Sequence, residues 1–434
     1  MNKVILSAAL SAAISATALA QSGTNSPYSQ YDLGLLSANG SGFNRGMNGL
    51  GLGFHSHNQV NYMNPASYSS LDSLSFIFDA GLSGQITNFQ ENSVRKNAKN
   101  GVFDYVVAGF RIAKHVGVSF GVLPYSTIGY NYSSTKNLND RDAFPSTEVG
   151  TSTYEGKGGL HQVYLGAGWE PMKGLAIGAN IGYLWGNYNR SIVTSFSNGT
   201  NSLSRYYKAT INNYKLDIGA QYTVKVSQKN ELSLGITYGY GHRLGANPQC
   251  EVISSDRQTG VADTTLYEIS NGLSIPTSYG AGLMFNHNNK LKIGFDYSLM
   301  QYAKLGYPKL NRNNNILQYG LVDGVYNDRQ KFTAGVEFCP NDAGRKLTER
   351  IRYRIGASYA TSYYKVNGID GPKEYSVSAG FGIPVVNEWN NRSVLNISGS
   401  WVHQEVKGLI KENTFRINIG FTFNERWFAK WKVD

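Results

Sequence analysis

Few side chains in this chain are equipped for chemistry, and they do not converge along the sequence. Seven histidines are spread over 434 residues. His55-x-His57 sets two imidazoles at a spacing that suits metal ligation, but no Cys, Asp or Glu cluster stands beside them to complete a coordination shell. A solvated or hydrogen-bonded pair is the plainer reading. His161, His242 and His403 fall in strand-like runs, and His115 and His287 fall at turns. The sequence shows no nucleophile elbow, zincin helix or phosphate loop, so a hydrolase would have to assemble its Ser–His or acidic pair in space. Cys250 and Cys339 are the only cysteines and form no disulfide framework. The reading is a protein that is not an enzyme and needs no metal or cofactor.

The remaining charged candidates stand within regularly alternating runs. Lys292 and Asp296 share a face with Gly294 and Ser298, while Leu291, Ile293, Phe295, Tyr297 and Leu299 take the other. Arg352 and Arg354 sit in a similar run. In Phe415 to Phe423, the apolar residues 415, 417, 419, 421 and 423 oppose Arg416, Asn418, Gly420 and Thr422. Such a period-two pattern makes strands. In a soluble sandwich the apolar face would be the core. In a membrane barrel it faces lipid, and the small and polar face lines the lumen.

About fourteen such runs follow one another, the first near 74–89 and the last at 413–423, many of the ~9–11 residues a tilted membrane strand needs. Short turns at 113–115, 170–173, 227–230 and 287–289 alternate mostly with longer connections, at 135–158, 253–265 and 304–326 and, smaller, at 90–101, 197–204, 367–373 and 407–412. A sandwich has no reason to alternate loop lengths, whereas a bacterial barrel does. The sequence therefore predicts an all-β fold: a transmembrane antiparallel β-barrel of about 14 strands over 74–423, with Lys292, Asp296, Arg352 and Arg354 facing the lumen.

The ends of the chain fit that reading. Lys3, the apolar stretch Val4 to Ala16 and Ala18-Leu19-Ala20 form a cleavable export signal over 1–20, with the mature chain starting at Gln21. No later run reaches the ~18 apolar residues of a membrane helix. Glycine supplies 49 residues and tyrosine 30, the balance of small interior and aromatic girdle expected of barrel strands. The net charge of +11 suits anionic lipid head groups. Export and the lack of any recognition motif argue against nucleic acid. Residues 424–434, rich in aromatics and cations, read as a periplasmic tail at the membrane interface or as a docking peptide.

Residues 21–73 lack the strand pattern. They carry Gly46, Gly49, Gly51 and Gly53, then Asn64-Pro65-Ala66. Here the chain resembles the FadL-type family of outer-membrane transporters for fatty acids and aromatic hydrocarbons, and equally the PorV-like barrels of secretion systems. The resemblance implies a fourteen-stranded barrel in the outer membrane whose lumen is plugged by this segment, the hatch. Glycine permits the tight turns and close backbone approach a plug needs, and Pro65 fixes φ beside an Asn that can cap a turn. In the third strand, Val118 to Ser126, proline removes a ladder hydrogen bond and favours a bulge. The family's kink in that strand implies a lateral gate at Pro124 and Tyr125. Two functions follow: passive uptake of a hydrophobic ligand with lateral release into lipid, or a non-transporting subunit with protein partners in an outer-membrane assembly or secretion complex. Outer-membrane lipids are partners in both.

Overall fold

The computed structural model describes residues 23–137, 149–197, 202–256, 258–313, 316–385, 393–406 and 408–426. The export signal, Gln21 and the tail from 427 onward lie outside the described residues.

Alternating side chains and frequent glycine build a closed antiparallel barrel of 14 strands. In chain order these are β1 (Ser75–Glu91), β2 (Val94–Ala113), β3 (Val116–Asn137), β4 (Val149–Met172), β5 (Leu175–Phe196) and β6 (Ser202–Lys225). Two strands follow in two pieces each: β7 (Asn230–Gly239, then Gln249–Ser255) and β8 (Ala262–Glu268, then Thr277–His287). The remainder are β9 (Leu291–Gln301), β10 (Arg329–Phe338), β11 (Arg352–Ala360), β12 (Lys373–Val385), β13 (Ser393–Glu405) and β14 (Lys411–Arg426). Each pairs with its sequence neighbours, and β1 closes on β14 in register from Ser75↔Arg426 to Gln90↔Lys411. Closure leaves no terminal edge, which is the condition for strands to lie in lipid.

The pleat sorts side chains as the alternation requires. Ile417 is 62% exposed while its neighbour Asn418 is 5% exposed. Ile181, Ile236, Ile355 and Phe415 continue this outward apolar belt, and Asn180, Asp296, Arg354 and Thr422 are buried on the inner side. A sheet that is oily outside and polar inside is an outer-membrane type of barrel.

The strands outrun the apolar pattern at the end that carries the long connections, here termed the outer end. The stretch 90–101, expected as a loop, is strand: Asn92 and Ser93 alone turn β1 into β2, with Asn92 at φ 50. Within 253–265, Gln249–Ser255 pairs with Ala262–Glu268, and within 304–326 Tyr307–Asn313 pairs with Ile316–Val322. Beyond the membrane both faces of a strand meet water, so the hydrophobic period vanishes while backbone pairing continues. At the opposite end, Leu347–Arg350 forms a short helix in the turn between β10 and β11.

Two seams are incomplete among the described residues: β6 loses β7 between Lys208↔Gln249 and Asp217↔Gly239, and β2 parts from β3. β2 and β3 pair only from Val106↔Val122 to Ala113↔Val116. Beyond Val122, β3 keeps its ladder with β4 but leaves β2, so the wall is interrupted in its outer half.

Candidate functional site

Residues 23–73 lie within the barrel and contact strands around its circumference. The inner stretch is held by side-chain amides and ion pairs. Ser41 precedes the one-turn helix Gly42–Arg45, and Asn44 Oδ1 accepts from the Ser41 backbone N–H at 3.1 Å. Arg45 donates to Gly40 O, Ala38 O and Asn418 Oδ1, and forms a buried ion pair with Asp104 at 3.0 Å. A bulge in β2 makes that pair possible. The register slips between Gly81 and Leu82, so Asp104 and Tyr105 both turn inward. Tyr105 accepts from the Gly42 N–H at 2.6 Å and donates to Asp79 at 2.8 Å.

The glycines singled out in the sequence act in different ways. Gly49 has φ +85, which a side chain would strain. Gly51 and Leu52 donate their backbone N–H groups to Asp296 Oδ2 of β9 at 2.7 and 2.9 Å. Gly53 lies against the backbone of Leu283 and Met284 in β8, and Gly46 against the Arg354 side chain.

Asn64 caps the 3-10 turn Pro65–Ser70: its Oδ1 accepts from the Ala66 N–H, and its Nδ2 donates to Leu52 O and Ala220 O. The barrel wall beneath is paved with glycine. A Cβ on Gly219 would collide with Asn64 Oδ1, and one on Gly178 with the Pro65 and Ala66 backbone. This pavement was missed in the sequence, where glycine within strands reads as generic barrel composition.

Arg354 faces the lumen as expected, and its hydrogen bonds run to the barrel wall. Its Nε donates to Glu337 of the adjacent strand at 2.7 Å and its Nη1 to Asn396 at 2.6 Å. Lys292 bonds the other oxygen of Glu337 at 3.0 Å and lies 4.8 Å from the centre of the Phe54 ring. Arg352 adds positive charge beside Glu337. Gly117-Val118-Ser119-Phe120-Gly121 spells Gly-x-Ser-x-Gly, but it lies in straight strand, and Ser119 bonds the Tyr164 hydroxyl at 2.8 Å rather than a base. These letters carry no elbow.

Pro124 and Tyr125 mark the place where the wall departs from its ladder. Pro124 faces His161 and Ser126 faces Leu160, leaving Tyr125 as the extra residue of a bulge. Gly158, Gly159 and Gly186 have φ +129, +142 and +152 at the same level of β4 and β5, so three neighbouring strands bend together. The turned-in residues Ile128, Leu160, Leu184 and Ile211 cluster with Leu33 of the N-terminal segment.

That outer stretch takes over the edge that β2 leaves. Leu35 pairs with Thr127 and Leu36 with Ser126, and the Ser37 N–H donates to Tyr125 O at 3.0 Å. Tyrosines hold it from the loops: Tyr326 donates to Asp32 at 2.8 Å, Tyr363 donates to Gly34 O at 2.6 Å, and Tyr364 stacks on Tyr31. Arg190 donates to Asp32 O. Burial raises the Asp32 carboxyl above the usual carboxylate range, against the lowering influence of the Tyr326 hydroxyl, the Leu33 N–H and Arg190. Between this cap and the inner stretch lies a cavity of about 430 Å³. Its lining mixes Arg45, Asp104, Arg329, Lys331, Glu374 and Arg416 with Leu36, Leu123, Pro124 and Tyr164.

The barrel shares its fold with solved aromatic-hydrocarbon transporters and a FadL homologue. The toluene transporter TbuX of Ralstonia pickettii superposes with a TM-score of 0.60 at 12% identity, over 89% of this chain and 98% of its own. The Pseudomonas putida toluene transporter TodX gives 0.56 at 12% identity, over 92% of this chain and 100% of its own. A Pseudomonas aeruginosa FadL homologue gives 0.59 at 11% identity, over 90% and 98%. No curated protein matches the sequence. A family model described as BamG matches residues 1–434.

Proposed function

This chain belongs to the BamG family, and from its barrel and the gap in its wall we propose that it is a passive outer-membrane channel for small hydrophobic molecules, closed in the state described. The observation that carries the reading is the wall interruption between β2 and β3, bordered by Pro124 and Tyr125. A complete ladder would leave an apolar solute no sideways route from lumen to lipid. The departure of β2 from β3 beyond Val122 supplies one, and the bent strands β3–β5 give it an apolar floor in Ile128, Leu160 and Leu184. Residues 23–73 are then the plug, and Gly46, Gly49, Gly51, Gly53, Asn64, Pro65 and Ala66 are the residues that seat it. TbuX and TodX, named as toluene transporters, support the choice of solute class by analogy of fold. The test is flux of a small apolar aromatic probe into vesicles reconstituted with the whole protein. Entry several-fold faster than into empty vesicles is expected, and equal rates would overturn the channel.

A second reading has its own support. Charged side chains line the cavity, and the segment closes it from both ends, which fits a non-conducting barrel held within an outer-membrane protein complex. Native mass spectrometry of the barrel drawn from its own membrane separates the two. Stoichiometric protein partners with no small apolar ligand would favour this second reading.

A further inference from the structure

The outer mouth and the wall slot are stopped by one uninterrupted stretch of chain. We propose that residues 24–37 form a single latch that couples the two openings, so that neither is released without the other. This inference stands whether or not the barrel conducts anything.

The slot side is a substitution of one strand by another. Where β2 departs, β3 would present bare backbone groups inside the bilayer, which lipid cannot satisfy. Leu35 and Leu36 pair with Thr127 and Ser126, the Ser37 N–H donates to Tyr125 O, and the Gly129 N–H donates to Ser29 Oγ at 3.1 Å. Gly23, just before the stretch, lies beside both Val102 of β2 and Thr127 of β3, and its carbonyl accepts from Gln85 at 2.8 Å.

The mouth side uses the residues in between. Ser26 donates to Glu412 at 2.6 Å, Tyr28 donates to Ile410 O, and Asp32 and Gly34 accept from Tyr326 and Tyr363. Ser29, a slot contact, thus lies between mouth contacts at Tyr28 and Asp32, and the mouth contact at Gly34 directly precedes the slot contact at Leu35. No slack separates the two sets. Asp32 at φ 50 and Gly34 at φ +98 fix the turn joining them, and a Cβ on Gly34 would strike Ile128 and Thr127. A rigid stretch shared by two sites couples them reciprocally: loosening either must loosen the other by the same factor.

Labelling of single introduced cysteines tests this, with Cys250 and Cys339 left in place as buried background. Val102→Cys reports the slot and Ile410→Cys reports the mouth. Tyr326→Phe combined with Tyr363→Phe, whose hydroxyls bond Asp32 and Gly34 rather than β3, should raise maleimide labelling at position 102 at least about fivefold, the low end of ordinary coupling. Conversely, Leu35→Pro, which removes an edge N–H, should raise labelling at position 410 by a similar factor. Faster labelling at 410 in the tyrosine variant with position 102 unchanged would overturn the latch. So would Leu35→Pro freeing position 102 while leaving 410 as it was. Heat-modifiable migration of each folded barrel keeps misfolding apart from release, because a misfolded variant loses the folded band altogether.

Discussion

The two ends of the N-terminal segment are held by different physics. Residues 24–37 hang mostly on tyrosine hydroxyls, ring stacking and one short backbone edge, with single bonds to Glu412 and Arg190, all reaching strands or loops at the outer rim. Residues 41–70 are held by buried amides and charges: Asn44, Arg45, Asn61 and Asn64 bond mostly to backbone, with Asp104 and Asp296 answering from the wall. A neutral hydroxyl hydrogen bond contributes about 1 kcal/mol, whereas an orphaned buried charge costs several. The outer stretch is built to let go and the inner stretch to stay.

The most severe way to break that contrast is to remove the inner stretch. Deleting residues 42–67 is expected to raise single-channel conductance sharply, and unchanged conductance would refute the assignment of this stretch as the plug. Next comes Arg45→Ala, which leaves Asp104 buried without its cation. A loss of about 3–5 kcal/mol is expected, read as a lower melting temperature of the folded barrel. Pairing it with Asp104→Ala should recover part of that loss. Should the double variant prove worse than the single, the ion pair is not what anchors the inner stretch.

Smaller changes belong to the outer stretch. Tyr363→Phe removes one hydrogen bond to Gly34 O and should cost about 1 kcal/mol, seen as faster proteolysis near the N-terminus with barrel melting unaffected. The smallest effect comes from pH. Asp32 is held above its usual range, so its burial favours the protonated form. The cap's stability is then full below the ordinary carboxylate range and falls as pH rises through the elevated value. Asp32→Asn keeps an acceptor for Tyr326 and should flatten that dependence. A cap whose protease sensitivity rises equally with pH in both proteins would exclude Asp32 as the titrating group.

Much of this is legible in sequence for a simple reason. Barrel strands are read two residues at a time, and Ile417 beside Asn418 or Ile293 beside Lys292 states which face meets lipid without knowledge of any partner strand. The strands beyond the membrane were illegible because both faces are wet there, as in Val94 to Asn100. Pro124 could be read as a break in a ladder, since proline has no N–H to give. Which ladder breaks, and what replaces the lost neighbour, could not.

The sequence by itself determined the class of fold, the strand count and the polarity of each face, because these depend on local alternation and backbone closure. Only the tertiary structure decided that Arg354 answers Glu337, that Asp104 is turned in by a bulge, and that Leu35 and Leu36 stand where β2 should be. Each of those joins residues far apart in the chain, and no local pattern records a partner that the fold alone brings near.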